Sequence, residues 1–197
     1  MLKYQSYIDL YLNHFSILFK RSKIFLIYFN ELSFRVVKKN ISNLLLFFKI
    51  DWLHLFSICI DIIAVDQPGK KYRFIVIYYL LSIFYNARLQ LFTQTTALAG
   101  LDTISMLYKS ANWSEREVWD LFGIIFWYHP DLRRILTDYG FLGFPLRKDF
   151  PLTGFKEIIY SDFSKKTKYK KVELAQEFRT FFFFNPWINL KKICYFL

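Results

Sequence analysis

At 197 residues, with a formal net charge of +11 and a pI near 9.6, the chain has room for one domain with an appendage, or two small domains at most. Hydrophobic residues make up 54% and aromatics 22%, yet the longest uncharged run, between Arg73 and Arg88, falls short of the roughly twenty residues a spanning helix needs. Cys59 and Cys194 lie far apart with no Cys-x-x-Cys, which excludes a disulfide framework and a four-ligand zinc or iron–sulfur site, and both read as reduced thiols.

Residues 1–22 read as an apolar helical segment. Asp9 interrupts it and no small-residue cleavage site follows, so a secretory signal is not expected, and the Arg- and Ser-rich character of an import leader is missing. Ile24–Phe29 has strand composition. Ser42-Asn43 opens a short core helix over Leu44–Phe48 that ends near Asp51. Three strands follow, at Leu55–Val65, Tyr72–Phe84 and Arg88–Thr93. The first two are joined through Asp66-Gln67-Pro68-Gly69, where Pro second and Gly third in a four-residue turn favour type II. Tyr85-Asn86-Ala87 makes the second reversal, and links this short require antiparallel neighbours.

After Gly100 the pattern turns helical. Asp102 or Thr103 caps a helix over Ile104–Ser110. Asn112 caps the next, with Glu115 three residues on completing a capping box, and Gly123 occupies its left-handed C′ position. Pro130, followed by Asp131, suits the start of a third short helix. Residues 1–144 therefore read as one α+β domain, a mainly antiparallel sheet packed by helices.

Pro145, Pro151, Gly154 and Pro186 punctuate the remainder, residues 145–197, which read as an extended interface arm. Structure is expected there at Glu157–Tyr160 and Val172–Phe178. Lys165–Lys171 reads as a solvated lysine-rich loop. Phe181–Phe184 and Trp187 are too apolar to remain in water and call for a partner surface.

The charged residues concentrate in one place. Glu115, Arg116, Glu117 and Asp120 precede His129, Arg133 and Arg134, and Arg147, Lys148 and Asp149 follow Gly143-Phe144-Pro145-Leu146. Carboxylates beside an imidazole can serve acid–base or metal chemistry. The spacing, however, is neither His-Glu-x-x-His nor Glu-x-x-His, and neither a nucleophile nor a Gly-rich phosphate loop stands nearby. A salt-bridged network that fixes helix packing and shapes a partner surface is the favoured reading. On the helix, Arg116 and Asp120 lie four apart and share a side.

Order and spacing here closely resemble the family of 30-kDa subunits of respiratory NADH:ubiquinone oxidoreductase, including organelle-encoded members. The family pattern is Glu-Arg-Glu, two residues, an acid, two apolar residues, six residues, His, three residues, a base, one residue and two aliphatics, and every position is met between Glu115 and Leu136. The similarity extends through Asp61, Asp66, Tyr72-Arg73-Phe74 and Ser110-Ala111-Asn112-Trp113 upstream. Downstream it takes in Thr137-Asp138-Tyr139-Gly140-Phe141 and Val172–Arg179, for a coverage of roughly residues 40–190. Phe144 stands where many members carry His, and Lys170-Lys171 replaces Glu-Pro.

The resemblance implies an α+β domain with an extended tail. It implies a structural subunit, without a cluster of its own, in the hydrophilic arm of mitochondrial complex I on the matrix side of the inner membrane. The partners it implies are the 49-kDa subunit, neighbouring iron–sulfur subunits of the quinone module and accessory subunits. NADH, FMN, iron–sulfur clusters and ubiquinone would be bound by other chains of the complex. Two readings compete with it: a basic mitochondrial ribosomal or RNA-binding protein, motivated by the net charge, and a free-standing hydrolase using Glu115, Asp120 and His129.

Overall fold

Period-two alternation of β-branched and aromatic residues builds the centre of the fold, because successive side chains on a strand face opposite sides. In the computed structural model, which describes residues 23–27, 31–181 and 183, β3 (Ile58–Asp66), β4 (Phe74–Ser82) and β5 (Ala87–Thr95) pair antiparallel as the sequence predicts. The first turn closes with the Lys70 N–H donating to the Gln67 carbonyl at 3.3 Å, and Gly69 takes φ 92° at the third position. Asn86, at φ 48°, makes the second reversal.

Two further strands complete a five-stranded sheet in the order β1-β2-β5-β4-β3. β1 (Lys23–Ile27) overlaps the strand expected at 24–29 and begins one residue earlier. β2 (Glu31–Val36) was not foreseen, and it runs parallel to β5. A 3-10 turn at Lys38–Asn40 leads into α1 (Ile41–Ile50), the expected core helix extended at both ends. Its Leu44, Leu45 and Phe48 join Val76, Tyr78, Leu80 and Leu91 in one contiguous buried cluster. α2 (Ala111–Phe122) closes over the same sheet face, with Phe122 edge-on to Phe74 at 6.4 Å between ring centroids. The two-residue strands β6 (Leu101–Asp102) and β7 (Phe126–Trp127) pair parallel on either side of α2 in sequence.

Four local expectations are corrected. Residues 104–110 form a turn rather than a helix. The Tyr108 hydroxyl is tied to the Phe56 carbonyl at 2.8 Å and the Ser110 hydroxyl to the Cys59 carbonyl at 2.8 Å, which commits the segment to feeding α2. α2 begins at Ala111, so Asn112 lies inside it, and the N-cap Ser110 makes no side-chain capping bond. No helix starts at Pro130, because the N–H groups of Ile135, Leu136 and Thr137 bond a side chain instead of helical carbonyls. Finally, the lysine run is β9 (Lys166–Lys171), paired with β8 (Lys156–Ser161), while residues 172–178 carry no regular structure.

The chain separates into two compact units, one reaching to Leu152 and the other beginning at Thr153. Pro145–Leu152, placed with the arm by sequence, thus belongs to the first unit. The second contains the β8–β9 hairpin, all of whose β9 residues are exposed. The helical reading of residues 1–22 lies outside the described residues. So do Cys194, Trp187 and, except for Phe181 and Phe183, the phenylalanine run. Among the described residues, no helix is long and apolar enough to cross a membrane.

Candidate functional site

α2 carries the charged motif, and its side chains reach in three directions. Glu115, with none of its surface exposed, points away from its own helix start. Its carboxylate accepts the Ile104 N–H at 2.7 Å and the Thr103 hydroxyl, so it organises the turn before α2 instead of completing a capping box. The imidazole of His129 lies 3.6 Å from Glu115 Oε2, and both side chains are fully buried. His129 Nε2 donates to the Asn112 carbonyl at 3.3 Å and Nδ1 accepts the Asp131 N–H at 3.1 Å, a pattern that only a neutral ring with its proton on Nε2 satisfies. Burial pushes the Glu115 carboxyl up to about 7, against the pull of the Thr103 and Ile104 bonds. Burial likewise holds His129 below its usual value.

Asp120, one turn further along and also fully buried, binds a loop. Its Oδ2 accepts three successive N–H groups, from Ile135 at 3.2 Å, Leu136 at 2.7 Å and Thr137 at 2.9 Å. Oδ1 accepts the Thr137 hydroxyl at 2.6 Å and Arg134 Nη1 at 3.2 Å. Burial alone would raise its pKa. The bonds from the Thr137 hydroxyl and the three N–H groups outweigh that and hold it below the usual carboxylate range.

Arg134 extends the clamp by donating through both Nη atoms to the Gly143 carbonyl at 3.0 Å. Arg147 finishes the far end of α2. Its Nε donates to the Phe122 carbonyl at 2.6 Å, and the Leu146 N–H takes the Leu121 carbonyl at 3.1 Å, supplying partners and a favourable positive charge to a helix C-terminus. The ring of Phe144 is stacked between the two guanidiniums, 5.0 Å from Arg134 and 4.3 Å from Arg147. Gly123 has the expected left-handed conformation, φ 71° and ψ 35°. A Cβ there would meet the Phe144 ring at 2.5 Å and Arg147 Nη2 at 2.6 Å.

The other predicted residues are more dispersed. Arg116 Nε bonds the Arg133 carbonyl at 3.1 Å and its guanidinium covers Trp113, although its sequence spacing places it on the same helix side as Asp120. Arg133 pairs with Asp131 at the surface, and Glu117 is exposed. The Lys148 N–H donates to Asp66 at 2.9 Å, and Asp149 accepts from Arg73 at 2.9 Å.

That last pair exposes a hub the charged-motif reading missed. Arg73 grips the buried Asp66 bidentately at 2.7 Å through Nε and Nη2, and this guanidinium holds the Asp66 carboxyl below its usual range. An acid and a base flanking the Gln67–Lys70 turn were the available signal. Among the described residues, no group of three or more His, Cys, Asp or Glu is arranged to hold a metal ion.

Fold and site together define an α+β module whose buried carboxylates hold its own loops in place. The family described as respiratory-chain NADH dehydrogenase, 30 Kd subunit, matches residues 34–156. The chain is 46% identical over 163 residues to NADH-ubiquinone oxidoreductase subunit 9 of Prototheca wickerhamii, covering 83% of this chain and 85% of that protein. It is 51% identical over 145 residues to NADH dehydrogenase [ubiquinone] iron-sulfur protein 3 of Beta trigyna, covering 74% and 76%. Among solved structures, the trypsin-resistant fragment (1–134) of Nqo5 matches with TM-score 0.56 and 26% identity, over 64% of this chain and 99% of the fragment. The chain belongs to the 30-kDa subunit family of respiratory NADH dehydrogenase, and is a subunit of the mitochondrial NADH–quinone oxidoreductase, complex I. The relatives give no support to a ribosomal protein.

Proposed function

We propose that this subunit is a scaffold of the hydrophilic arm on the matrix side. It packs on the 49-kDa subunit and neighbouring iron–sulfur subunits, and carries no cofactor of its own. NADH, FMN, clusters and quinone are then handled by other chains, and this one holds the quinone-module subunits in register. The observation that supports the reading is the use made of the buried acids. Asp120 is held by loop N–H groups, Thr137 and Arg134, and Glu115 by Thr103 and Ile104, so both carboxylates are spent on fixing the chain's own loops and the surface those loops form. In this reading Glu115, Arg116, Glu117, Asp120, His129, Arg133 and Arg134 set the surface around α2. Arg147, Lys148 and Asp149 lock the closing segment of the first unit, and the arm from Thr153 onward docks on a partner.

Native sizing of the detergent-solubilised complex, followed by cross-linking of the active band, tests this proposal. Co-migration with NADH-oxidising activity and cross-links to the 49-kDa subunit are expected. Activity in bands lacking this chain, or cross-links that bypass the 49-kDa subunit, would overturn it.

A further inference from the structure

The sheet has a second face, opposite the α1 and α2 core. Antiparallel sheets with one face in water normally alternate apolar-in with polar-out. This one does not. β3 turns Ile63 and Val65 outward, 41% and 38% exposed, and β4 adds the half-buried Ile75, Ile77 and Leu81. Register aligns Ile63, Ile77 and Phe92 side by side on β3, β4 and β5, and the same row runs on to Arg35 of β2 and Lys23 of β1. The four neighbouring strands from Ile63 to Arg35 make this part of the row about 14 Å wide.

The rim beside Arg35 is basic. A cleft of about 370 Å³ is lined by Arg35, Lys38, Lys39, Tyr72 and Gln94 among others, and among the described residues no carboxylate lines it. Lys38 and Lys39 stand in the 3-10 turn entering α1, whose first turn holds no acid and whose N-cap makes no side-chain bond. Cations at the positive end of a helix dipole are unfavourable unless an anion is brought to them. An apolar row ending in a cationic cleft is complementary to a segment with apolar side chains on one side and carboxylates at one end.

Neither terminal stretch outside the described residues supplies such a segment. Residues 1–22 carry Lys3, Lys20 and Arg21 against Asp9 alone, and residues 184–197 carry Lys191 and Lys192 with no acid. We propose that the outer sheet face, from Ile63 to the Arg35–Lys38–Lys39 cleft, docks an acidic, apolar-faced segment of another subunit of the oxidoreductase. The proposal rests on membership of the complex but not on the 49-kDa assignment, since any subunit with that chemistry fits.

The test uses the intact purified complex. Zero-length carbodiimide coupling joins lysine to a touching carboxylate, and acetic anhydride reports free lysine. Lys38 or Lys39 coupled to an Asp or Glu of a different subunit, with loss of acetylation at both lysines relative to the isolated chain, is expected. Coupling to Asp9, Glu173 or Glu177 of this chain would make the occupant a segment of the same chain and overturn the proposal, as would equal acetylation in complex and isolated chain. Protection that disappears on delipidation would identify an anionic lipid and overturn it too. NADH-oxidising activity of the same preparation shows separately whether the chain was in the complex.

Discussion

Replacing Glu115 with Gln should stabilise the protein at high pH. In the folded chain the carboxyl is raised from 4.5 to about 7, chiefly by burial. The folded state therefore binds more protons than the unfolded state between these values, and stability is lost as pH rises through that window. A shift of this size corresponds to about 3 kcal/mol, fully missing above the folded pKa. Gln has no charge to desolvate. Its oxygen can still accept the Ile104 N–H, and its amide can donate to Thr103 Oγ, whose proton is free to rotate. The gain should thus approach about 3 kcal/mol at pH 8 and vanish near pH 4.5. His129 acts in the opposite sense: its depressed pKa removes stability as pH falls below the ordinary histidine value, in wild type and variant alike. Urea unfolding of both proteins from pH 5 to 8 gives the difference, and the comparison is read most cleanly from about pH 7.5 upward, where His129, 3.6 Å from Glu115, is neutral in both proteins. A difference that is flat with pH, or a variant weaker at pH 8, would refute the reasoning.

Three other outcomes are expected. Asp120→Asn places an N–H₂ group among N–H donors and removes the charge facing Arg134, so it should cost about 3 kcal/mol in urea unfolding and speed protease cleavage near residues 134–144; a cost under about 1 kcal/mol would show the clamp is dispensable. Gly123→Val must force a β-branched residue to φ 71° against Phe144, and should lower stability by about 2 kcal/mol or more, whereas Asn112→Ala, now inside α2, should be near neutral; equal effects in thermal unfolding would contradict both assignments. Truncation after Leu152 should leave a cooperatively folding domain, while truncation before Pro145 also removes the Arg147 cap and the Lys148 and Asp149 bonds to the Asp66–Arg73 hub; matching melting curves would refute the distinction.

The meander was legible because each of its signals is local: alternation along Phe74–Ser82, Pro68-Gly69 in one turn, Asn86 in the other. Gly123 was legible for the same reason, as a lone glycine after an amphipathic run. β2 escaped because Glu31-Leu32-Ser33-Phe34-Arg35-Val36 is half polar, and its place is fixed by a parallel partner more than fifty residues later. The motif residues were found, but not their partners. A capping box and a reach back to Ile104 use the same Glu115, and only packing decides between them. Asp120 likewise gave no sign that it would hold the backbone of 135–137 out of a helix. The lysine run is solvated, as its charge suggests, but it is a strand and not a loop, and its pairing with 156–161 depends on a register that composition does not carry.

The inward use of Asp66, Glu115 and Asp120 also alters what a distant molecule senses. Among the described residues these acids are buried, and no lysine or arginine is. Water therefore meets a surface on which basic side chains predominate, because part of the negative charge behind the net +11 is turned inward, toward backbone N–H groups and the arginines that reach in to it. Such a field reaches about one Debye length at physiological salt, far enough to orient an acidic partner before contact. Encounter with the rest of the enzyme should then be fast at low ionic strength and slow markedly as salt is added, even where the final affinity is set by apolar burial.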